Sequence, residues 1–353
     1  MTRGATPGQS PDCDTAPMPD HIVSLDAILA AREVVAGRVH RTPMLSSATA
    51  ARVLVRAGGP EIADGRIYVK AEHLQYTGSF KARGMTNKMA SLSAEERARG
   101  IVAFSAGNAA MAFAWAGREA GVHATVVMPL AAVPGKVAGC RDYGAEVVLH
   151  GSNTTETYQR TRELEAERGL LYCHPFDDPV VIAGHGTAGL EILEDLPDVD
   201  VVVVGIGGGG LISGIAAAVK EKRPQARIYG VEPEGANSMT LALERGEIVQ
   251  IQAATVADGL AAPFAGEWTL PMAQRYLDGV VLLDDPTILA GVRFAAERMK
   301  QVLEPAGAAA LAAVLFGRIP IKAGEQVCVV GSGGNVEIGR LGQLLEMAAA
   351  LPA

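Results

Sequence analysis

A lysine lies in a short segment between two glycines, directly after a strand-like run. Lys81 belongs to residues 77–84, Thr-Gly-Ser-Phe-Lys-Ala-Arg-Gly, and the run 67–72 precedes this segment. A lysine in such a position is usually a solvated surface charge. A desolvated lysine amine can instead attack a carbonyl group and form a Schiff base. The choice between these two interpretations depends on the motifs elsewhere in the chain.

Two glycine-rich turns follow apolar, strand-like runs further along the chain. Residues 205–210, Gly-Ile-Gly-Gly-Gly-Gly, come after the run 201–204, and residues 331–335, Gly-Ser-Gly-Gly-Asn, come after 327–330. Glycines lack Cβ atoms, so that backbone N–H groups can converge on a phosphate, and the positive end of a following helix adds to the attraction. A reactive amine, a phosphate-binding turn and the Ser332 hydroxyl together suggest a carbonyl cofactor held as a Schiff base.

Other interpretations of these motifs remain open. The glycines of 205–210 loosely fit the dinucleotide fingerprint, which would make the protein a nicotinamide-dependent dehydrogenase, or they could form a purely structural turn. Ser332 could simply cap the next helix. Ser105 and Asn108, in a small-residue turn, could serve local hydrogen bonding alone.

Strand-like and helix-like segments alternate along most of the chain, which predicts βαβ units, a parallel sheet and an α/β fold. The segment 105–108 is expected at a strand-to-helix turn, where helix N-terminal amides face a bound anion. Residues 184–187, Gly-His-Gly-Thr, are expected to open a helix that ends near Leu196. His185 would then lie in a glycine-flanked turn at a helix start.

Composition excludes several classes of protein. The 353 residues carry a formal net charge of -8, which disfavours a nucleic-acid or anionic-membrane partner. The four cysteines are scattered and no histidines pair at metal-ligand spacing, so neither disulfides nor a zinc site is expected. No run is apolar enough to span a bilayer, and no signal segment is recognised, so a cytoplasmic location is expected. The proline-rich residues 1–20 are expected to be a flexible extension.

Seven motifs taken together resemble one family, the serine/threonine dehydratases (threonine ammonia-lyase-like), which are pyridoxal-phosphate enzymes of fold type II. The resemblance covers roughly residues 24–345. The motifs are Ser79-Phe80-Lys81-Ala82-Arg83-Gly84, Ser105-Ala106-Gly107-Asn108, Tyr143-Gly144-Ala145-Glu146-Val147, Gly186-Thr187, Gly207-Gly208-Gly209-Gly210, Glu304-Pro305-Ala306-Gly307-Ala308 and Ser332-Gly333-Gly334-Asn335.

The resemblance implies a two-domain α/β fold like that of the tryptophan synthase β chain, with mostly parallel twisted sheets flanked by helices. A large cofactor-binding domain would comprise residues 21–98 and 178–353, and a small domain would comprise residues 99–177. The implied cofactor is pyridoxal 5'-phosphate, bound between the two domains. A homodimer or homotetramer is also implied.

The resemblance further assigns roles to particular residues. Lys81 would be the catalytic residue and would hold the cofactor as a Schiff base. The other cofactor-binding residues would be Phe80 beside the lysine, Asn108 at the ring oxygen, Gly207, Gly208, Gly209, Gly210 and Leu211 at the phosphate, and Ser332 at the pyridine nitrogen. The substrate-binding residues would be Ser105, Ala106, Gly107 and Asn108 at the carboxylate, with His185 near the pocket.

The implied activity is α,β-elimination from a β-hydroxy amino acid, most simply L-threonine or L-serine, to give a 2-oxo acid and ammonia. His185 stands where a glutamine is usual, and residues 109–112 also depart from the family pattern. Dehydration of threo-3-hydroxyaspartate or phenylserine, racemisation and β-replacement therefore stay open as alternatives. Racemisation is disfavoured because Ala106 replaces a serine, and a metal site is not expected because Ser238 replaces an acid.

Overall fold

The computed structural model of the protein describes residues 21–352, and within that range ten strands form two sheets. The expected flexible extension, residues 1–20, lies outside the described residues. The strands are β1 Met44–Ser47, β2 Ile67–Lys70, β3 Ile101–Phe104, β4 Ala124–Met128, β5 Glu146–Leu149, β6 Leu171–Tyr172, β7 Val201–Gly205, β8 Arg227–Pro233, β9 Gly279–Leu283 and β10 Val327–Val330.

Helices connect these strands and cover both sheets. A π-helical turn, Ala295–Met299, continues the twelfth helix. The helices are α1 Leu25–Val35, α2 Ala48–Arg56, α3 Lys81–Ser91, α4 Ala94–Arg99, α5 Asn108–Ala120, α6 Pro134–Asp142, α7 Thr154–Arg168, α8 Pro179–Asp195, α9 Gly210–Lys222, α10 Ser238–Arg245, α11 Thr269–Tyr276, α12 Asp285–Phe294, α13 Pro305–Leu315 and α14 Ile338–Glu346.

The larger sheet has six strands in the order β1-β2-β10-β7-β8-β9. Only β1 runs antiparallel to its neighbour. The central strand β10 pairs with β2 on one side and β7 on the other, so that Val327 lies opposite Ile67 and Val201. Since parallel strands end at the same edge of a sheet, the segments that follow β2, β7 and β10 meet there.

The smaller sheet has four parallel strands in the order β5-β4-β3-β6. The turn 105–107 leaves the end of β3, and the segment 173–178 leaves the end of β6. Both segments therefore come from one edge of this sheet. The predicted α/β fold with mostly parallel sheets is confirmed, whereas the bounds of the two domains stay a prediction.

Helix α8 begins earlier than its glycines indicated. Asp178 caps it by accepting hydrogen bonds from the Val180 and Val181 amides, and Pro179 occupies the first turn. An aspartate followed by a proline is a strong start signal, and it prevails over the glycines downstream. The prediction that residues 184–187 open a helix is therefore wrong, and His185 lies inside α8.

The glycines of α8 serve close helix packing instead. A Cβ atom on Gly184 would lie 2.7 Å from the Cα atom of Gly84 in α3, nearer than side-chain atoms approach. The backbones of α3 and α8 can therefore come into direct contact just beyond Lys81. None of the helices in residues 21–352 is both long and apolar enough to cross a membrane.

Candidate active site

The lysine turn is joined to the last glycine-rich turn by backbone hydrogen bonds. Ser79 and Gly333 form an isolated antiparallel bridge. The Phe80 amide donates to the Ser332 carbonyl at 3.1 Å, and the Gly334 amide donates to the Gly78 carbonyl at 2.9 Å. Two segments far apart in sequence are thereby held in one fixed geometry, with Lys81 as the first residue of α3.

The Lys81 side chain is half-buried, and its amine donates to a backbone carbonyl and not to a carboxylate. Its Nζ atom donates to the Pro175 carbonyl at 2.6 Å and lies 5.1 Å from the centre of the Phe80 ring. Burial lowers the pKa of Lys81 from 10.5 to about 7, because the charged ammonium is poorly solvated there. A substantial share of the amine is consequently neutral near pH 7 and able to act as a nucleophile or a base.

A buried ionic network lies beside the lysine turn. Arg83 Nε donates to Glu72 Oε2 at 2.7 Å, and its Nη1 atom donates to Glu191 Oε1 at 2.7 Å. Lys70 Nζ lies 2.6 Å from Glu191 Oε2. Burial would raise the pKa of Glu72, but pairing with Arg83 outweighs it and the pKa is lowered. Because each buried charge has an opposite partner, the network fixes α3 against β2 and α8.

The four-glycine turn links β7 to α9. Gly209 has a φ of 91°, and among the described residues no side chain caps the first turn of α9. A Cβ atom on Gly208 would overlap the Phe176 ring, and one on Gly209 would lie 2.7 Å from the Met239 methyl group. Glycine is required at both positions. The first turn of α9, which includes the Leu211 amide, is a helix N-terminus at which an anion would be favoured.

Ser332 follows β10 directly, as expected, but it does not cap a helix. Its Oγ atom donates to the Ala306 carbonyl in α13 at 3.4 Å, and the side chain is buried. The next helix, α14, starts only at Ile338. The hydroxyl is therefore fixed at the edge of the sheet, between the lysine turn and α13.

Asn108 connects the smaller sheet to the larger one. It is the first residue of α5, and its Nδ2 atom donates to Glu304 Oε1 at 2.5 Å. Its Oδ1 atom accepts from Asn335 Nδ2 at 3.0 Å. Desolvation raises the pKa of the buried Glu304 to about 7, and its Oε2 atom has no partner among residues 21–352. The carboxyl is thus poised between its two protonation states.

The expected substrate-binding residues divide into two groups. Ser105, Ala106, Gly107 and Asn108 form one half-buried turn, in which Ser105 Oγ accepts from the Gly107 amide at 3.1 Å. His185 is fully buried, with its ring 4.7 Å from the Phe80 ring and edge-on to it. Neither ring nitrogen has a partner in the described structure, and burial lowers the pKa of His185, so the ring is neutral.

The sequence reasoning missed a segment that touches most of the site. Residues 174–178, His-Pro-Phe-Asp-Asp, which we call the strap, run from β6 to α8. The Pro175 carbonyl accepts from Lys81, and the Phe176 ring packs on Gly208. Asp177 accepts from the backbone amides of residues 267–269. The available signal was a proline-flanked acidic stretch between a strand and a helix.

Fold and site together define a class of enzyme that binds a phosphorylated carbonyl cofactor through a lysine amine. The sequence pattern of the family described as pyridoxal-phosphate dependent enzyme matches residues 36–333. The chain belongs to this family of pyridoxal-phosphate dependent enzymes, and the predicted cofactor is confirmed.

Curated relatives agree with this assignment. An L-threonine ammonia-lyase of Thermotoga maritima is 41% identical over 325 residues, which cover 92% of this chain and 78% of the relative. The catabolic L-threonine dehydratase TdcB of Escherichia coli K12 is 40% identical over 91% of this chain and 96% of its own length.

Solved structures show the same fold. Threonine deaminase isoform 2 from Solanum lycopersicum matches with a TM-score of 0.84 at 36% identity, covering 92% of this chain and 87% of that one. Maize serine racemase matches with a TM-score of 0.85 at 33% identity, covering 92% and 97%. The predicted family, fold class and ammonia-lyase class are confirmed.

The residues present fit the cofactor. The Ser79 and Ser213 hydroxyls are buried and have no hydrogen-bond partner within residues 21–352. Ser79 lies two positions before the lysine, and Ser213 lies in the first turn of α9, after the glycine turn. Unpaired buried hydroxyls at both places, a partly neutral amine and an uncapped helix start together match a phosphorylated aldehyde.

Proposed function

We propose that the protein deaminates L-threonine by α,β-elimination, releasing a 2-oxo acid and ammonia, with L-serine as a second substrate. The names of the curated relatives support the threonine assignment. The observation that carries it in this chain is the poorly solvated amine of Lys81, whose pKa of about 7 makes it a base near neutral pH. Threonine and serine both carry the hydroxyl leaving group that this reaction needs.

The cofactor-binding roles expected from the sequence become proposals for the site. Gly207 to Gly210 and the amide of Leu211 would hold the phosphate, Asn108 would meet the ring oxygen, and Ser332 would face the pyridine nitrogen. Phe80 would lie beside the ring, next to Lys81. When bound, pyridoxal phosphate supplies a conjugated ring that withdraws electrons from the substrate's Cα atom.

Lys81 would move the proton in the elimination. In its neutral form the Nζ atom can take the proton from the substrate's Cα atom, and the ammonium so formed would return a proton to the β-hydroxyl, which leaves as water. Its low pKa follows from burial alone, with no nearby carboxylate named among the causes. Proton transfer therefore needs no prior loss of a proton from a strongly held ammonium.

The substrate carboxylate would bind at the start of α5. Residues 105–108 form the turn there, and within the described residues no side chain caps the helix, so its first amides are available to an anion. His185 would act next to Phe80, where a neutral imidazole replaces the glutamine usual in the family. These two features would set the choice among β-hydroxy amino acids.

Ser332 would favour elimination over transamination. A neutral hydroxyl, unlike an aspartate, cannot keep a pyridine nitrogen protonated, so negative charge is not stored for long in the ring. Prompt departure of the β-hydroxyl is then the easier course. Without the cofactor the hydroxyl donates to the Ala306 carbonyl at 3.4 Å, and it would turn its hydrogen from that carbonyl to the pyridine nitrogen when the cofactor binds.

We further propose a homodimer or homotetramer in the cytoplasm, acting on a free amino acid and on neither nucleic acid nor membrane. The net charge of -8 supports the absence of anionic partners. Sedimentation analysis of the purified protein would give the oligomeric state.

The first test is the visible spectrum of purified protein, before and after adding candidate substrates. We expect a yellow absorbance band that borohydride abolishes, and release of 2-oxo acid from threonine faster than from serine, threo-3-hydroxyaspartate or phenylserine. A protein that stays colourless after reconstitution with pyridoxal phosphate would contradict the cofactor roles. If the protein instead prefers hydroxyaspartate or phenylserine, that amino acid replaces threonine as the proposed substrate.

A racemase is the second candidate, because the structure of maize serine racemase matches this chain with a TM-score of 0.85. Racemisation needs a second acid/base group on the opposite face of the substrate, and Ala106 offers none. We expect the wild-type protein to leave recovered serine in the L form. Ala106→Ser should raise D-serine formation, which chiral chromatography would detect.

A further inference from the structure

The strap is held near Lys81 by one histidine. His174 Nδ1 accepts a hydrogen bond from the Asp177 amide at 2.8 Å and a longer one from the Phe176 amide at 3.3 Å. Pro175 lies between His174 and Phe176 in sequence, and its carbonyl accepts a hydrogen bond from Lys81 Nζ at 2.6 Å. The imidazole therefore closes the turn whose carbonyl receives the lysine amine.

We propose that His174 is a positioning residue, whose Nδ1 atom holds the Pro175 carbonyl where it accepts the hydrogen bond of the Lys81 amine. The proposal rests on the proposed function in one respect, that Lys81 reacts with the cofactor and moves the substrate proton. The imidazole acts through the backbone of residues 175–177, and it is assigned no contact with the reacting atoms.

The protonation state of His174 supports this role. Two backbone N–H groups point at Nδ1, so this nitrogen carries no hydrogen and the single ring proton sits on Nε2. Burial, with a smaller contribution from the nearby Lys81, lowers the pKa of His174 to about 4. The ring consequently stays neutral near pH 7, so that Nδ1 can accept the hydrogen bonds of the Phe176 and Asp177 amides.

Aromatic packing fixes the ring itself. The His174 ring meets the Phe176 ring edge-on at 4.5 Å and lies 6.3 Å from the Phe264 ring. Phe176 also contacts Gly208 in the glycine turn. A shift of the imidazole would therefore be felt on both sides of the proposed cofactor site, at the lysine and at the phosphate-binding turn.

The hydrogen bond to Pro175 has a consequence for reactivity. A neutral amine uses one N–H group in this bond, which limits the rotation of Nζ and orients its lone pair. Correct orientation of a reacting group lowers the reaction barrier considerably, and a 1 Å displacement of the carbonyl would lose much of that effect. Removal of the Nδ1 acceptor also leaves two half-buried N–H groups without that partner.

The test compares two substitutions at the same position. His174→Asn keeps an acceptor, because the asparagine Oδ1 atom can occupy the place of Nδ1, whereas His174→Leu keeps similar bulk without an acceptor. His123→Leu is the matched control, since His123 is largely exposed and its side chain pairs with Glu146 on the smaller sheet. Circular dichroism and thermal unfolding would confirm that each variant is folded.

Two measurements distinguish positioning from packing. The first is the rate at which apo-protein develops the yellow band when pyridoxal phosphate is added, which requires no amino-acid substrate. The second is the separate effect on kcat and KM for threonine. We expect His174→Leu to slow band formation and kcat about tenfold with KM nearly unchanged, and His174→Asn to retain most of both rates.

Three outcomes would overturn the proposal: wild-type rates in folded His174→Leu, equal losses in both variants, or a loss confined to KM. If the leucine variant does not fold, His174→Gln replaces it, because a glutamine places its polar end at Nε2 and not at Nδ1. If wild-type protein binds the cofactor but releases no 2-oxo acid from threonine, the proposed substrate fails while the comparison of band-formation rates still decides the role of His174.

Discussion

The two sheets contribute to the site in different ways. Segments that follow strands of the six-stranded sheet are joined to each other by backbone hydrogen bonds, as between Ser79 and Gly333 or from Phe80 to Ser332. Segments from the four-stranded sheet are attached by side chains, through Asn108 to Glu304 and through the Lys81 amine to Pro175.

The difference shows which segments of the site are rigid and which can adjust. Backbone bonds are insensitive to most substitutions, so the lysine and the glycine turns are preorganised by the path of the chain itself. Side-chain bonds are few, depend on protonation and can be exchanged. We therefore expect substitutions on the six-stranded side to remove function outright, and substitutions at the junction to reduce it by degrees.

The largest effect is expected for Lys81→Ala. Loss of the amine removes the attachment point of the cofactor and the base, so turnover should fall by at least about a thousandfold. The turn is held by backbone bonds, so thermal unfolding should stay cooperative. Production of 2-oxo acid at the wild-type rate would refute the assignment of Lys81.

Gly208→Ala should come next. The added Cβ atom would overlap the Phe176 ring, so either the glycine turn or the strap must shift. We expect affinity for pyridoxal phosphate to fall roughly tenfold to a hundredfold, measured by titrating apo-protein. Gly339→Ala is the control, because a Cβ atom there meets nothing within 4 Å. Equal affinities in the two variants would contradict the close approach.

Glu304→Gln tests the junction through its pH dependence. The folded-state pKa is raised from 4.5 to about 7, so folding favours the protonated carboxyl and wild-type stability declines as pH rises from about 4.5 through 7. Glutamine mimics the protonated form and can still accept from Asn108. We expect the apo variant to match wild type near pH 4.5 and to exceed it by roughly 2–3 kcal/mol at pH 8.

A gap in stability that is the same at both pH values would show that Glu304 does not titrate in this range. Glu304→Ala serves as the comparison, because it removes the acceptor of Asn108 altogether. That variant should lose catalytic rate at every pH, measured as kcat for threonine.

Asp177→Asn should have the smallest effect. Asp177 accepts hydrogen bonds from the amides of residues 267–269, and asparagine keeps one of the two acceptor oxygens. We expect a loss of about 1 kcal/mol in the free energy of unfolding, measured in urea, and a change in kcat of less than about fivefold. A collapse of activity would show that the four-stranded side is as rigid as the other.

Most of the fold could be predicted from the sequence, because its signals are local. Apolar runs such as 201–204 marked buried strands, and alternation of strands with helices gave the parallel sheets. The start of α8 was misplaced because the glycines of 184–187 resembled a turn, whereas Asp178 and Pro179 supplied the stronger local signal. The short strand β6 has only two residues and no pattern to reveal it.

The site was predictable only in part. Lys81 and the glycine turn have recognisable spacing, but the partners of these groups are distant in sequence. Nothing near Lys81 indicates that its amine meets Pro175, or that Asn108 binds Glu304. Such pairings follow from the crossing of chain segments in three dimensions, and a single sequence carries no local record of them.

The position of β10 has a consequence for the order in which the protein is made. It is the last strand in sequence, yet it lies between β2 and β7 in the sheet. During synthesis, the edges of β2 and β7 that pair with β10 therefore stay unpaired until Val327–Val330 leaves the ribosome. A chain released before that point would expose these sheet edges and would lack Ser332.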